Sequence, residues 1–492
     1  MAKKTTKPKN IILCCDGTGN KPSHGEASNV YDLVELLNGT DNQLVYYDTG
    51  LGTEAAPGKQ TGISKSLNML AGLAFAVGFQ KNVTDAYLFL MENYTPGDKV
   101  YIFGFSRGAY TARALIGMIQ QMGLLKRGSK NMVPYAVSTY TKKTAIEWKD
   151  IKSFQGRLCQ IIDAGGTKYE LPIEYVGIFD TVKSVGLLRH STRLAYTRRL
   201  PTVKSIRHAV ALDEKRSKYR PNHISANGKR DGCAQTMWFK GAHSDIGGGY
   251  PEQERGLSDH AMKWILAGAK EHGMEFDANK LDKMIATRKK NVPEHHYYQM
   301  HKSLTWHWWI LGWLKRKLPH RFWLHETAIK HFLDSKIRCD FDPQSAIRAL
   351  GADEVCLHGD VIVQRHQGSL LVQKLTEYER KHFETVPTTA EDALIKLLSA
   401  GISCWETEFN SAFSAGKFDL TSNMEKKAKE LLAGAREEVT AGNIKGLDGA
   451  YDKIASFLRM RAIDDTYLES YEKYYVMQTA PHLMEALAEF KQ

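Results

Sequence analysis

The chain has 492 residues, 42% hydrophobic and 25% charged, the balance of a folded globular protein of roughly two to four domains. Seven cysteines without any C-x-x-C spacing argue against a disulfide framework and a zinc site, and suit a reducing compartment. The net charge of +12 comes from small scattered Lys and Arg groups with no zinc-finger, RRM or leucine-zipper pattern, so nucleic acid is not the expected partner. The basic N-terminus leads into a short strand-like run without a small-residue cleavage site, so no Sec signal is expected. Synthesis and residence in the cytoplasm follow as the expectation. The longest apolar run, residues 69–79, is well short of the roughly 18–20 residues that span a bilayer.

Residues 10–15 (NIILCC) form a continuous apolar run ended by Asp16-Gly17-Thr18-Gly19-Asn20, the pattern of a strand buried on both faces. Helical spacing over 28–38 follows, with Ser28 or Asn29 as N-cap and Gly39 beyond the end. A second strand is expected at 43–47 and a long helix at 79–94, stopped by Pro96-Gly97. KVYIFG (99–104) predicts a buried strand, Ser106 stands at the turn, and 109–122 is helical by period. Further strands are expected at 173–179 and 236–240. Alternating strands and helices over 10–260 predict an α/β fold, a doubly wound and mainly parallel sheet like that of α/β-hydrolases. Sites in such sheets form at the carboxyl ends of the strands, where Asp16, Ser106, Asp180 and His243 all fall.

Gly104-Phe105-Ser106-Arg107-Gly108 matches G-x-S-x-G, in which glycines let strand and helix pass close to a strained serine. A serine needs a base to take its proton and a third group to orient that base. His243, after the last strand and before Gly247-Gly248-Gly249, is the candidate base, and Asp180 the candidate acid. His325 is the rival base; Asp213 and Asp245 are rival acids. Backbone N–H groups of Gly17, Thr18 and Arg107 are candidates for an oxyanion hole. No third glycine completes a dinucleotide fingerprint, no Walker A pattern occurs, and beyond His243-Ser244-Asp245 and His295-His296 nothing has metal-ligand spacing. Neither cofactor nor metal is expected.

Residues 306–317 (WHWWILGWLKRK) place Trp306, Trp308, Trp309 and Trp313 beside Lys315, Arg316 and Lys317. Tryptophans with adjacent cations suit a membrane interface, where the three cations would face anionic headgroups. A buried aromatic face with a basic cap is the competing reading. Three regions are expected: a hydrolase domain at 1–264, a lid-like insertion at 265–345 that could complete it, and a C-terminal region at 346–492. The last holds a hairpin (354–364 with 370–374) and helices near 389–400, 423–437, 447–460 and 464–490.

The blocks IILCCDGTGN, VYYDTGLGT, YTPGDKVYIFGFSRGAYTARAL, VGIFDTV, HAVALDEKR and WFKGAHSDIGGGY resemble, in order, the α/β-hydrolase domain of the first class of type VI secretion lipase effectors. The likeness covers residues 8–260, with a weaker echo at Leu324-His325-Glu326-Thr327. It implies a serine esterase with a Ser-Asp-His triad cleaving acyl esters of glycerophospholipids, a phospholipase of the A type. The family's GFSRGA serine falls on Ser106, its HSD-GGGY histidine on His243, and its acid, through FDTV, on Asp180. It also implies Sec-independent export to a rival cell's membrane, a type VI spike or adaptor as carrier, and an immunity protein as partner. Two other readings stay open: a soluble carboxylesterase or acyltransferase of the same fold, and a basic membrane-binding module on an inactive hydrolase scaffold.

Overall fold

The apolar run at the start becomes β1 (Asn10–Cys15), buried throughout beyond Asn10. It pairs in parallel with β2 (Gln43–Asp48) on one side and β3 (Lys99–Phe105) on the other. β4 (Tyr175–Phe179), β5 (Ile206–Ala211) and β6 (Ala234–Phe239) continue the parallel order β2-β1-β3-β4-β5-β6. Parallel strands covered by helices on both faces must be apolar on both, which is why these runs do not alternate. Ile11, Leu13, Ile102, Val176 and Ile178 point into one core, while Phe103, Tyr175 and Gly177 face the other side.

The structure, a computed structural model, describes residues 8–17, 26–37, 42–50, 65–141, 148–162, 169–182, 194–198, 200–224, 234–304, 315–319, 321–335, 355–358, 361–366 and 368–374, with a few single positions beyond. Residues 305–314, with their four tryptophans, lie outside these. So do the predicted C-terminal helices, apart from single positions at 426–437.

Helices α1 (Asn29–Leu36) and α2 (Lys65–Asn93) flank the first strands. Ser28 is the N-cap of α1, its hydroxyl accepting from the Tyr31 N–H at 3.1 Å, which satisfies a donor with no acceptor inside the helix. α2 starts at Lys65, fourteen residues before the expected start, because the apolar run 69–79 is its continuation and not a separate element. α3 (Ser106–Met122), α4 (Val133–Thr141) and α5 (Trp148–Leu158) pack with α2 on one face of the sheet. On the other lie α6 (His243–Gly247), α7 (Gly256–Glu271) and α8 (Ala278–Lys289), followed by the short α9 (Glu294–Tyr297).

A buried ionic cluster joins these last helices to α1. Asp32 takes Arg255 (2.6 Å) and Arg288 (2.8 Å), and Asp259 takes Arg288 (3.0 Å) and the Tyr297 hydroxyl. Removing one partner of such a cluster strands a buried charge and costs about 3–5 kcal/mol.

Two compact units emerge: residues 1–225 with 233–316, and 226–232 with 317–492. The first includes residues 265–316, part of the segment expected to be a lid or to complete the hydrolase domain: α7 covers β4 and β5, while α8 and α9 enter the ionic cluster. In the second, β7 (Arg321–Leu324), β8 (Val355–His358), β9 (Val361–His366) and β10 (Ser369–Lys374) form antiparallel pairs in the order β7-β10-β9-β8. The single strand expected over 354–364 is thus two strands, Val355–His358 and Val361–His366, paired antiparallel. α10 (Glu326–Asp334) packs on β10.

Candidate active site

Strand β3 passes into α3 without a loop: Phe105 ends the strand and Ser106 opens the helix. Ser106 has φ +58, a left-handed conformation that a non-glycine residue adopts only under tertiary constraint. The constraint is close approach. A Cβ on Gly104 would lie 2.6 Å from the Cα of Ala109, and one on Gly108 would lie 2.2 Å from the Cys15 carbonyl oxygen. Both glycines of the motif are therefore required by backbone packing, and together they hold Ser106 at the carboxyl edge of the sheet.

Asp180 follows β4, also at positive φ (+34), and is fully buried. His243 opens α6 after β6. Its Nδ1 lies 2.6 Å from Asp180 Oδ2, and its Nε2 2.8 Å from Ser106 Oγ. The imidazole stacks on the Phe105 ring at 4.7 Å and meets Tyr219 edge-on at 4.8 Å. Gly247 makes room for Phe105, since a Cβ there would sit 1.9 Å from its ring. The His243 N–H donates to Glu214 Oε2 (3.2 Å), and Glu214 is in turn clasped by Arg216, whose guanidinium lies 3.6 Å from the centre of the Tyr219 ring.

The electrostatics favour a neutral base beside an ionised acid. Burial lowers the His243 pKa and outweighs the opposing pull of Asp180 and Glu214. For Asp180, burial pushes upward, but Arg316 and the bonds from His243 and Arg316 hold the carboxyl well below the usual carboxylate range. His243 can therefore accept a proton at Nε2 while Nδ1–H donates to Asp180.

Sequence reasoning missed Glu214, Tyr219 and Arg316. Arg316, expected to face headgroups, is 5% exposed: it donates to both Asp180 oxygens at 2.5 and 2.8 Å and to the carbonyls of Ala211 and Tyr219. Lys315 and Lys317 on either side are exposed. Three consecutive cations read alike as a solvated basic run, so no sequence signal marked the middle one as buried.

Asp16 is buried and shapes the loop after β1. It accepts from Ser28 (2.6 Å), Tyr47 (2.8 Å) and the Gly17 N–H (2.6 Å). That last bond turns the Gly17 amide, a candidate oxyanion donor, toward Asp16; Thr18 lies outside the described residues. The Arg107 amide sits in the first turn of α3, where helix N–H groups have no intrahelical acceptor. The rival acids are engaged elsewhere: Asp213 accepts from the Gly241 N–H (2.9 Å), and Asp245 from the Ala242 N–H and His301. His325 caps α10 in the second unit, accepting from the Thr327 N–H at 3.3 Å.

Residues 9–268, more than half of the chain, match the family model of the catalytic domain of Tle1-like type VI secretion phospholipase effectors. The chain belongs to that family. Ser106, Asp180 and His243 fall inside the matched range, and Arg316 outside it. An uncharacterised protein of Saccharomyces cerevisiae, YEL023C, is 37% identical over 220 residues, covering 43% of this chain and 32% of its own length. An uncharacterised Pseudomonas aeruginosa protein of known structure aligns over 59% of this chain and 50% of its own, at 20% identity and a TM-score of 0.35. A Tle1 effector solved with the VgrG spike aligns over 62% of this chain and 83% of its own, at 16% identity and a TM-score of 0.36. The chain thus spans about a third of the yeast relative and half of the Pseudomonas protein. Among the described residues no helix is long and apolar enough to cross a membrane, and no three His, Cys, Asp or Glu side chains are grouped to hold a metal ion.

Proposed function

We propose that this Tle1-like catalytic domain is a serine esterase that hydrolyses acyl ester bonds of glycerophospholipids. The observation that carries the reading is the continuous hydrogen-bonded relay from Ser106 Oγ through His243 to Asp180, at 2.8 and 2.6 Å. Family membership supplies the lipid substrate class.

In the proposed reaction, His243 Nε2 takes the Ser106 proton as Oγ attacks the acyl carbonyl. Asp180 holds the ring and stabilises the imidazolium that forms. The oxyanion is assigned to the Arg107 amide at the N-terminus of α3, where the helix dipole adds to it, with Gly17 and Thr18 kept as candidate donors on the sequence alone. The imidazolium then protonates the departing lysophospholipid oxygen, and a water activated by the same nitrogen cleaves the acyl-enzyme.

A fluorophosphonate probe should label the wild type at Ser106 and leave Ser106→Ala unlabelled. Release of fatty acid from phospholipid vesicles, compared with hydrolysis of short nitrophenyl esters, tests the substrate class. Turnover of the soluble ester alone would favour the second reading, a carboxylesterase or acyltransferase of the same fold. Delivery by a type VI spike or adaptor, and control by an immunity protein, are proposed on family membership alone. Co-purification with the secreting cell's spike protein tests the first.

A further inference from the structure

The geometry points to Arg316 as a positioning residue of the triad, gripping both oxygens of Asp180 so that Oδ2 faces His243 in a single orientation. The inference rests on the reading of Ser106, Asp180 and His243 as the reacting groups.

A triad acid works by presenting one lone pair to the base and keeping the ring in one tautomer. Asp180 is poorly placed to do this unaided, because it is fully buried at a strained backbone position. Backbone bonding fixes it only in part: the Ala211 N–H donates to Oδ1 at 3.0 Å, while Oδ2 meets the His243 ring at 2.6 Å. Arg316 closes the set, with Nη1 on Oδ1 and Nη2 on Oδ2, a two-pronged grip that fixes the carboxylate plane. The guanidinium is itself immobilised, Nη1 on the Ala211 carbonyl at 2.7 Å and Nη2 on that of Tyr219 at 2.8 Å. Tyr219 is also the ring set edge-on to His243, so the grip and the wall of the base share one segment.

Arg316 also sets charge. Near Asp180 are His208 on β5 and His223 beyond it, both held neutral by burial, while the Arg113 guanidinium of α3, near these two histidines, donates to the carbonyls of Thr197, Asn222 and His223. Facing His243 are Glu214 and Arg216. Arg316 is the cation in direct contact with the acid. Whichever member of the Asp180–His243 pair takes the proton, removing a positive neighbour makes the pair hold that proton more tightly. The acid limb of the rate profile must then move to higher pH.

Arg316→Met and Arg316→Lys in the full chain test this, using a water-soluble nitrophenyl ester across pH. In Arg316→Met the acid limb of kcat/KM should rise by about one unit. Its kcat should fall about 10- to 100-fold with KM nearly unchanged, as for a group that orients the machinery without touching substrate. Arg316→Lys should keep the limb at the wild-type pH while losing part of kcat, because an ammonium restores the charge but not the planar grip. An unmoved limb in folded Arg316→Met, or wild-type kcat in Arg316→Lys, overturns the proposal. If Arg316→Met does not fold, the lysine variant alone decides by its kcat. Fluorophosphonate labelling of the wild type is run beside these: no label at Ser106 defeats the triad reading itself, whereas a label with an unmoved limb defeats only the role of Arg316.

Discussion

His243 Nε2 lies 2.8 Å from Ser106 Oγ although 137 positions separate them in the chain. Their strands, β3 and β6, are three places apart in the sheet, about 14 Å at the usual strand spacing. The backbone closes that gap after β6. Gly241, at φ +117, turns the chain, Asp245 accepts from the Ala242 N–H, and α6 carries His243 back over Phe105. Asp180 needs no such detour, since β4 is the neighbour of β3.

Ser106→Ala should abolish ester hydrolysis and shift the unfolding free energy by less than about 1 kcal/mol. It deletes one hydrogen bond and keeps the backbone conformation. Hydrolysis near the wild-type rate by a folded, unlabelled variant would dismiss Ser106 as nucleophile.

In the proposed mechanism the neutral imidazole of His243 is the reactive form, and burial lowers its pKa. The acid limb of kcat/KM should therefore lie below about 6.5, the ordinary histidine value. A limb above that value would mean that Asp180 and Glu214 dominate over burial.

Gly108→Ala should be more damaging than its single methyl suggests. The new Cβ would meet the Cys15 and Asp16 carbonyl oxygens at 2.2 and 2.3 Å, so β1 or α3 must move. About 2–3 kcal/mol of stability should be lost, and the loop bearing Asp16 should shift with it. Thermal unfolding together with fluorophosphonate labelling rate measures both.

His301 bridges Asp245 on α6 (2.6 Å) and Glu254 (2.8 Å), stacks on Tyr250 at 3.6 Å, and has His296 nearby on the same glutamate. Burial opposes its charge, but the two carboxylates win and raise its pKa. A raised folded-state pKa means a contribution that is complete below the unfolded value of about 6.5 and lost as pH rises through the folded one. The Tm advantage of wild type over His301→Gln should thus be largest near pH 5.5 and shrink toward pH 8.5. A pH-independent difference would show that the bridge acts without its charge.

His325→Ala should leave ester hydrolysis intact and cost about 1 kcal/mol, the value of a lost helix cap. A hydrolysis defect without a stability change would reopen His325 as the base.

The residues most legible in the sequence were those whose role is local. NIILCC and KVYIFG read as doubly buried strands because no polar residue interrupts them, and Gly104 and Gly108 read as an elbow because only glycine admits the backbone of a neighbouring element. Ser28 as a cap followed in the same way, whereas Asp180 and His243 stood beside rivals, Asp213, Asp245 and His325, that local pattern does not separate. β5 was harder to see: Arg207 and His208 interrupt its apolar run, and only packing shows His208 to be buried and neutral.

By itself, then, the sequence determined the strand–elbow–helix at Ser106 and the parallel α/β plan, since both follow from nearest-neighbour sterics and the period of apolar residues. Tertiary structure alone decided which charged side chains serve the site. Lys315, Arg316 and Lys317 are three consecutive cations in the chain, yet only the middle one is buried against Asp180 while its neighbours meet solvent. Asp16, Asp180, Asp213 and Asp245 each follow a glycine-bearing turn or a strand end, and only Asp180 reaches His243 Nδ1. The reason is range: backbone conformation is set within a few residues, whereas the fate of a charge depends on what is folded against it from a hundred or more positions away.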